Sequence, residues 1–254
     1  MYNVLLDYEG QYVDIRRRMM DKAHGILEQN RRAFIKATRF PYVCVKDRVL
    51  GDLGSFKISV VAESKSRLKM GIVGVSAFKV FEVPDEDGNN SGYYSLLHFE
   101  YNDDSSHFLY YLLPTFIEDY VKHRFGKGVK DVPVDTVIKS FVKDSYWGSN
   151  GHLMLSPDKG LSSPLEDTLI NNQPCWGVSF VIESGVCFGF ENKAKNIQVY
   201  FAYKREEDVN EYSNEDLAKV HDLMDAKRRD FDNNPWLYSP LAANLNDFDH
   251  NTVN

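Results

Sequence analysis

Apolar residues recur along this chain first at helical spacing and then by alternation. Tyr12, Ile15, Met19, Ala23, Ile26, Ala33 and Ala37 follow at steps of three, four or their sum, which predicts one long helix over residues 11–38. Asn30 interrupts the stripe, Arg16, Arg17, Arg31 and Arg32 lie mostly off it, and Pro41 ends it. The segments 56–63, 70–83, 93–101 and 107–113 are rich in Val, Ile and aromatic residues with stretches of alternation, and predict strands. A polar, Gly-containing run at 84–92 separates the second from the third.

Helical period returns in "PTFIEDYVKHRF" (114–125), where Ile117, Val121 and Phe125 form one stripe. Thr115 and Glu118 match an S/T-x-x-E capping box, Asp119 suits the positive end of the helix dipole, and Gly126 and Gly128 end the segment. Residues 133–144 give a second amphipathic helix through Val134, Val137, Ile138, Phe141 and Val142. Residues 148–174, rich in Gly, Ser, Pro and Asn, read as a long surface loop with a short strand at 152–155. Closely spaced strands at 175–183, 185–191 and 196–204 predict a β-meander.

A last helix starts near Ser213, with Asp216 placed for a variant capping box and Leu217, Val220, Met224 and Phe231 as its stripe. The tail from Asn233 is expected to be extended and partly disordered. The whole reads as an α+β fold: an antiparallel sheet with a long N-terminal helix, two central helices and a C-terminal helix. Its divisions are a basic helical arm at 1–50, an α+β core at 51–205, and a helix with extended tail at 206–254.

Composition narrows the function classes. The 13% aromatic content accords with a substantial sheet. The N-terminus lacks a basic n-region and an apolar h-region, and no apolar run is long enough to span a bilayer. A cytoplasmic chain without a membrane partner is therefore expected. Cys44, Cys175 and Cys187 are odd in number, widely spaced and free of any C-x-x-C pair, so they read as reduced thiols. Gly71 and Gly74 lack the G-K-[ST] ending of a phosphate loop, and no G-x-S-x-G elbow occurs. His98, His107 and His152, with Glu100, Asp103 and Asp104, have no metal-ligand spacing. His98 alternates within an aromatic strand and reads as a partly buried, hydrogen-bonded histidine. No metal and no cofactor is expected.

Charge changes the picture more. The chain carries −7 overall, yet between Arg16 and Arg48 ten basic residues face three acids, a local +7 against −14 elsewhere. Arg16, Arg17, Arg18, Arg31, Arg32, Lys36 and Arg39 thus form a candidate surface for nucleic-acid phosphates or an acidic protein partner. The bland alternative is a solvated helix face paired with acids of the same chain.

The run Pro114-Thr115-Phe116-x-x-Asp119-Tyr120 resembles a P-H-F-x-x-R-Y segment of uncharacterised bacterial and phage proteins. In these a strand leads into this helix, a second amphipathic helix follows, and strands finish the domain. That order is similar to the ribonuclease-toxin folds of the RelE and barnase type, in which His and Arg serve RNA cleavage. The likeness covers about residues 95–205. It implies a divergent ribonuclease using His123 and Arg124, with His107 or Tyr120. The family-type His position holds Thr115 and the Arg position holds Asp119, whose carboxylate would repel a scissile phosphate. The preferred expectation is therefore a non-catalytic binding or assembly protein of bacterial or phage type. A structural subunit of a larger assembly is the third class.

Overall fold

Alternation along the strand segments sorts their side chains onto two apolar faces, and helices cover both. The computed structural model describes residues 2–69, 73–100, 109–146, 176–192, 196–210 and 213–233. His107, His152, Asp103, Asp104, Cys175, Gly71, the loop and short strand read at 148–174, and the tail beyond 233 lie outside them.

Eight strands form one sheet: β1 (Tyr42–Val49), β2 (Ser55–Ala62), β3 (Gly74–Pro84), β4 (Asn90–Glu100), β5 (Leu109–Leu112), β6 (Trp176–Ile182), β7 (Gly185–Asn192) and β8 (Ile197–Lys204). Their order across the sheet is β1-β2-β3-β4-β5-β8-β7-β6. Neighbours are antiparallel except β5 and β8, which run parallel. The fold is thus α+β with a mostly antiparallel sheet.

On one face lie α1 (Tyr2–Gly10), α2 (Tyr12–Gln29) and α3 (Arg31–Lys36). The stripe Tyr12, Ile15, Met19, Ala23 and Ile26 is buried against Phe56, Ile58, Val60, Ala77 and Phe99 of the sheet. Each large apolar side chain so placed stabilises the fold by roughly 1.5–3 kcal/mol. The predicted helix over 11–38 is broken at Asn30. The side-chain amide of Asn30 donates to the Ile26 carbonyl at 2.8 Å, beside a backbone bond to the same oxygen at 3.0 Å. Asparagine competes in this way for backbone partners and ends helices. Strand β1 pairs with β2 from Tyr42 to Val49, so residues within the first fifty form part of the sheet.

The opposite face carries α5 (Pro114–Phe125) and α6 (Val134–Ser145), which bury Phe116, Ile117, Tyr120, Val121, Val137, Ile138 and Phe141 against it. The short α4 (Lys65–Lys69) joins β2 to β3 in chain order. The last helix, α7 (Asn214–Asn233), sets Leu217 and Val220 against Val181, Val186 and Phe188. At its start the Asp216 amide donates to Ser213 Oγ at 3.2 Å and the Ser213 amide to Asp216 Oδ2 at 3.3 Å, a reciprocal cap. No helix among the described residues is long and apolar enough to cross a membrane.

One irregularity positions the central helix. Between β7 and β8 the register shifts, with Phe188 opposite Ala202 and Gly189 opposite Tyr200, so Phe201 is an extra residue. A bulge reverses the alternation beyond it. Tyr200 and Tyr203 therefore both face α5, while Phe201 stacks on Phe190 on the other side, ring centroids 5.3 Å apart. Gly189 permits the close approach, since a Cβ there would lie 2.4 Å from the Val199 carbonyl oxygen.

Candidate functional site

Helix α5 meets the β8 bulge through Thr115 and Asp119. Thr115 Oγ1 donates to the Phe201 carbonyl at 2.7 Å, and Asp119 accepts the Tyr203 amide at 3.4 Å. Both side chains thus bond backbone groups of the bulged strand segment. The capping box read for Thr115 and Glu118 does not form: the N-cap is Leu113, it makes no side-chain cap, and Pro114 opens the helix. Proline at the first position removes a free donor, and Thr115 lies inside the helix and turns to the strand instead. Gly126 closes the helix in the left-handed conformation, φ 63°.

The neighbouring candidates sit in a polar network around Asp144, near the end of α6. Tyr120 donates its hydroxyl toward Asp144 Oδ2 at 2.8 Å and lies 2.9 Å from Ser140 Oγ. Ser184, in the β6–β7 turn, donates to the same carboxylate oxygen at 2.9 Å. Arg124 Nε lies 3.1 Å from Asp144 Oδ2, and 3.2 Å from Ser140 Oγ. Burial, together with the Asp144 charge, raises the Tyr120 pKa, so its hydroxyl stays protonated. His123 is exposed on the last turn, its ring 5.9 Å from that of Tyr203. Tyr120 and Arg124 are therefore brought together, with His123 beside Tyr203. His107 lies outside the described residues.

Asp144 was legible in one respect. It continues the stripe of α6 one turn beyond Phe141, and a carboxylate on an apolar stripe signals a buried acceptor. Asp144→Ala is expected to cost about 2 kcal/mol, because it leaves the Ser184 and Tyr120 hydroxyls short of an acceptor. Arg124→Ala is expected to cost less than about 1 kcal/mol, since its side chain is 42% exposed. Urea denaturation of the two variants checks the order.

The seven basic candidates divide. Arg17 pairs with Asp14 at 2.6 Å, and Arg18 with Asp14 at 2.6 Å and Asp52 at 2.5 Å. Arg18 also donates to the Leu50 carbonyl at 2.8 Å. Arg16 and Arg31 are half-buried and engaged within the chain. Arg32, Lys36 and Arg39 are exposed and have no hydrogen bond or ion pair among the described residues. They belong to α3 and the loop that feeds β1, and α3 rests there by an edge-on contact of Phe34 with Tyr42 at 5.0 Å.

Further cations gather on this rim that the helix-based selection leaves out. Lys46 and Arg48 lie on β1, and Lys139 on α6. The charges of Lys46, Lys139 and Arg48 all act at the Cys44 thiol, although burial prevails and pushes it up. The stretch "YVCVKDRV" runs apolar through Val45 and then charged, with Lys46 and Arg48 on the same side of the strand. Among the described residues no group of His, Cys, Asp and Glu side chains is arranged to hold a metal ion.

No protein-family model, curated protein or solved structure matches the chain.

Proposed function

We propose that this is a non-catalytic binding protein that presents its basic β1 rim to an acidic, extended segment of a protein partner. The observation that carries the reading is the exposed set Arg32, Lys36 and Arg39, uncommitted among the described residues and adjoining a terminal strand of the sheet. An extended acidic chain can combine charge complementarity with strand addition at such an edge. A nucleic acid offers phosphates but no strand to add, and it meets the long-range repulsion of a chain with net charge −7. The arrangement at α5 supports a non-catalytic role. Thr115 and Asp119 serve the β8 backbone there, and Arg124 lies against Asp144 instead of facing a substrate phosphate.

Fluorescence anisotropy with a labelled peptide of alternating Glu and Val, beside a DNA duplex and a single-stranded RNA, tests this. The peptide is expected to bind more tightly than either nucleic acid. The charge-reversed triple variant R32E, K36E and R39E should weaken it about tenfold or more, as three rim charges of about 0.5 kcal/mol each imply. Alanine at Arg16, Arg17 and Arg18 should weaken it far less. Tighter binding of a nucleic acid, no binding of the peptide, or an unchanged affinity in the triple variant overturns the proposal.

A further inference from the structure

A second site lies on the opposite face of the sheet, away from the basic rim. The paired positions Phe78, His98, Tyr110 and Gln198 run across β3, β4, β5 and β8 in one row. Beneath α6 this row and its neighbours enclose a half-open cavity lined by His98, Glu100, Tyr110, Phe141, Phe180 and Tyr200, among others. Its inner free volume is about 20 Å³, enough for one or two small heavy atoms.

Three properties of the lining bear on what it takes. First, His98 is only 4% exposed and its Nε2 has no hydrogen-bond partner among the described residues. A buried polar atom left in this state costs roughly 1–3 kcal/mol unless something occupies the cavity and bonds it. The ring is fixed by stacking on Phe78, centroids 4.3 Å apart and planes 3° from parallel, so it cannot swing away to find another partner. Second, five aromatic rings, counting His98, border the space, and aromatic faces attract cations. Third, among the described residues the lining contains one carboxylate, Glu100, and no Lys or Arg. Burial holds His98 neutral, its pKa lowered to about 4, so near neutral pH Nε2 can accept a hydrogen bond from a cationic donor.

We infer that this cavity is a binding site for a small primary alkylammonium ion, with the ammonium group donating to His98 Nε2 and balanced by Glu100. An anion finds no positive group among the described residues of the lining. A neutral molecule of the same size gains the hydrogen bond but neither the cation–π attraction nor the carboxylate. With so few heavy atoms the affinity is expected to be millimolar, given a ceiling of roughly 1.5 kcal/mol per atom.

The test uses the full chain near neutral pH and follows the methyl resonance of methylammonium chloride by saturation-transfer and titration NMR. Methanol at the same concentration serves as the neutral analogue, and sodium chloride as the salt control. Methylammonium is expected to receive saturation and to shift upfield under the aromatic ring currents, with methanol at least about fivefold weaker. The Glu100→Gln variant, which keeps the side-chain shape, should weaken methylammonium about fivefold or more and leave methanol unchanged, as the loss of one charged partner implies. Equal binding of methanol, no transfer to methylammonium, or full binding in the folded E100Q protein overturns the inference. Circular dichroism of the variant establishes its folding, and the peptide binding proposed for the β1 rim is independent of all three outcomes.

Discussion

Replacing Phe116 by alanine is expected to destabilise the protein by about 4 kcal/mol, the largest loss we predict for a single side chain. Phe116 is fully buried at the point where α5, α6 and β8 meet. Its ring stands edge-on to Phe141 at 5.9 Å, Tyr200 at 6.3 Å and Tyr203 at 6.3 Å. Alanine removes the transfer free energy of the ring and leaves a cavity. Neighbours of this kind cannot collapse into it, because each is held by its own contacts. Tyr120 is tied to Asp144, and Tyr200 to Gln198 at 2.8 Å. At about 2–4 °C per kcal/mol for a chain of this size, the midpoint of thermal unfolding should fall by roughly 10 °C. Val13→Ala on α2 is the control: Val13 is 75% exposed, and its loss should stay within about 0.5 kcal/mol. Urea denaturation with an unchanged m-value gives the comparison. A loss below about 2 kcal/mol for Phe116 would mean that α5 is not anchored by this cluster.

The second large effect is a loss of stability in mild acid that traces to His98. Burial lowers its folded pKa to about 4, against 6.5 for the free side chain. Between these values the unfolded chain binds a proton that the folded chain refuses. Stability is therefore undiminished above about pH 6.5 and falls as pH is lowered toward 4. From this group the fall approaches 1.4 kcal/mol per unit, and about 3 kcal/mol in all. Below about pH 4 both states are protonated and its contribution to the slope ends. Other carboxylates add their own dependence, so the measurement is a difference. Unfolding free energies of the parent and His98→Leu at several pH values from 7 to 4.5 should diverge in slope by up to one proton. Parallel slopes would place His98 in contact with water.

The β1 rim and the Asp144 network differ in how far the chain's pattern reveals them. The stripes of α2 and α6 are visible as spacing, because a helix repeats its surface every few residues whatever it packs against. The same holds for the meander β6–β8, whose alternation and turns are local. Strand β1 was passed over in the pattern because its apolar residues cluster at Tyr42–Val45 instead of alternating, and the charged Lys46, Asp47 and Arg48 follow. The basic segment announced itself by composition, but composition weighed Arg16, Arg17 and Arg18 equally with Arg32, Lys36 and Arg39. The positions of Asp14, Asp52 and the Leu50 carbonyl separate Arg17 and Arg18 from Arg32, Lys36 and Arg39.

The amino-acid sequence by itself determined the mixture of helices and strands and the concentration of positive charge ahead of residue 50. These are properties of neighbours along the chain. The tertiary structure alone decided what Thr115, Asp119 and His98 face. Thr115 and Asp119 reach a strand more than eighty residues later, and only because an extra residue at Phe201 turns that strand's backbone toward them. His98 lines a cavity because β4 lies beside β5 and, through it, β8, which brings Tyr110 and Tyr200 alongside the ring. Pairings so distant in the chain depend on sheet order and register, and neither leaves a periodic trace in the residues it joins.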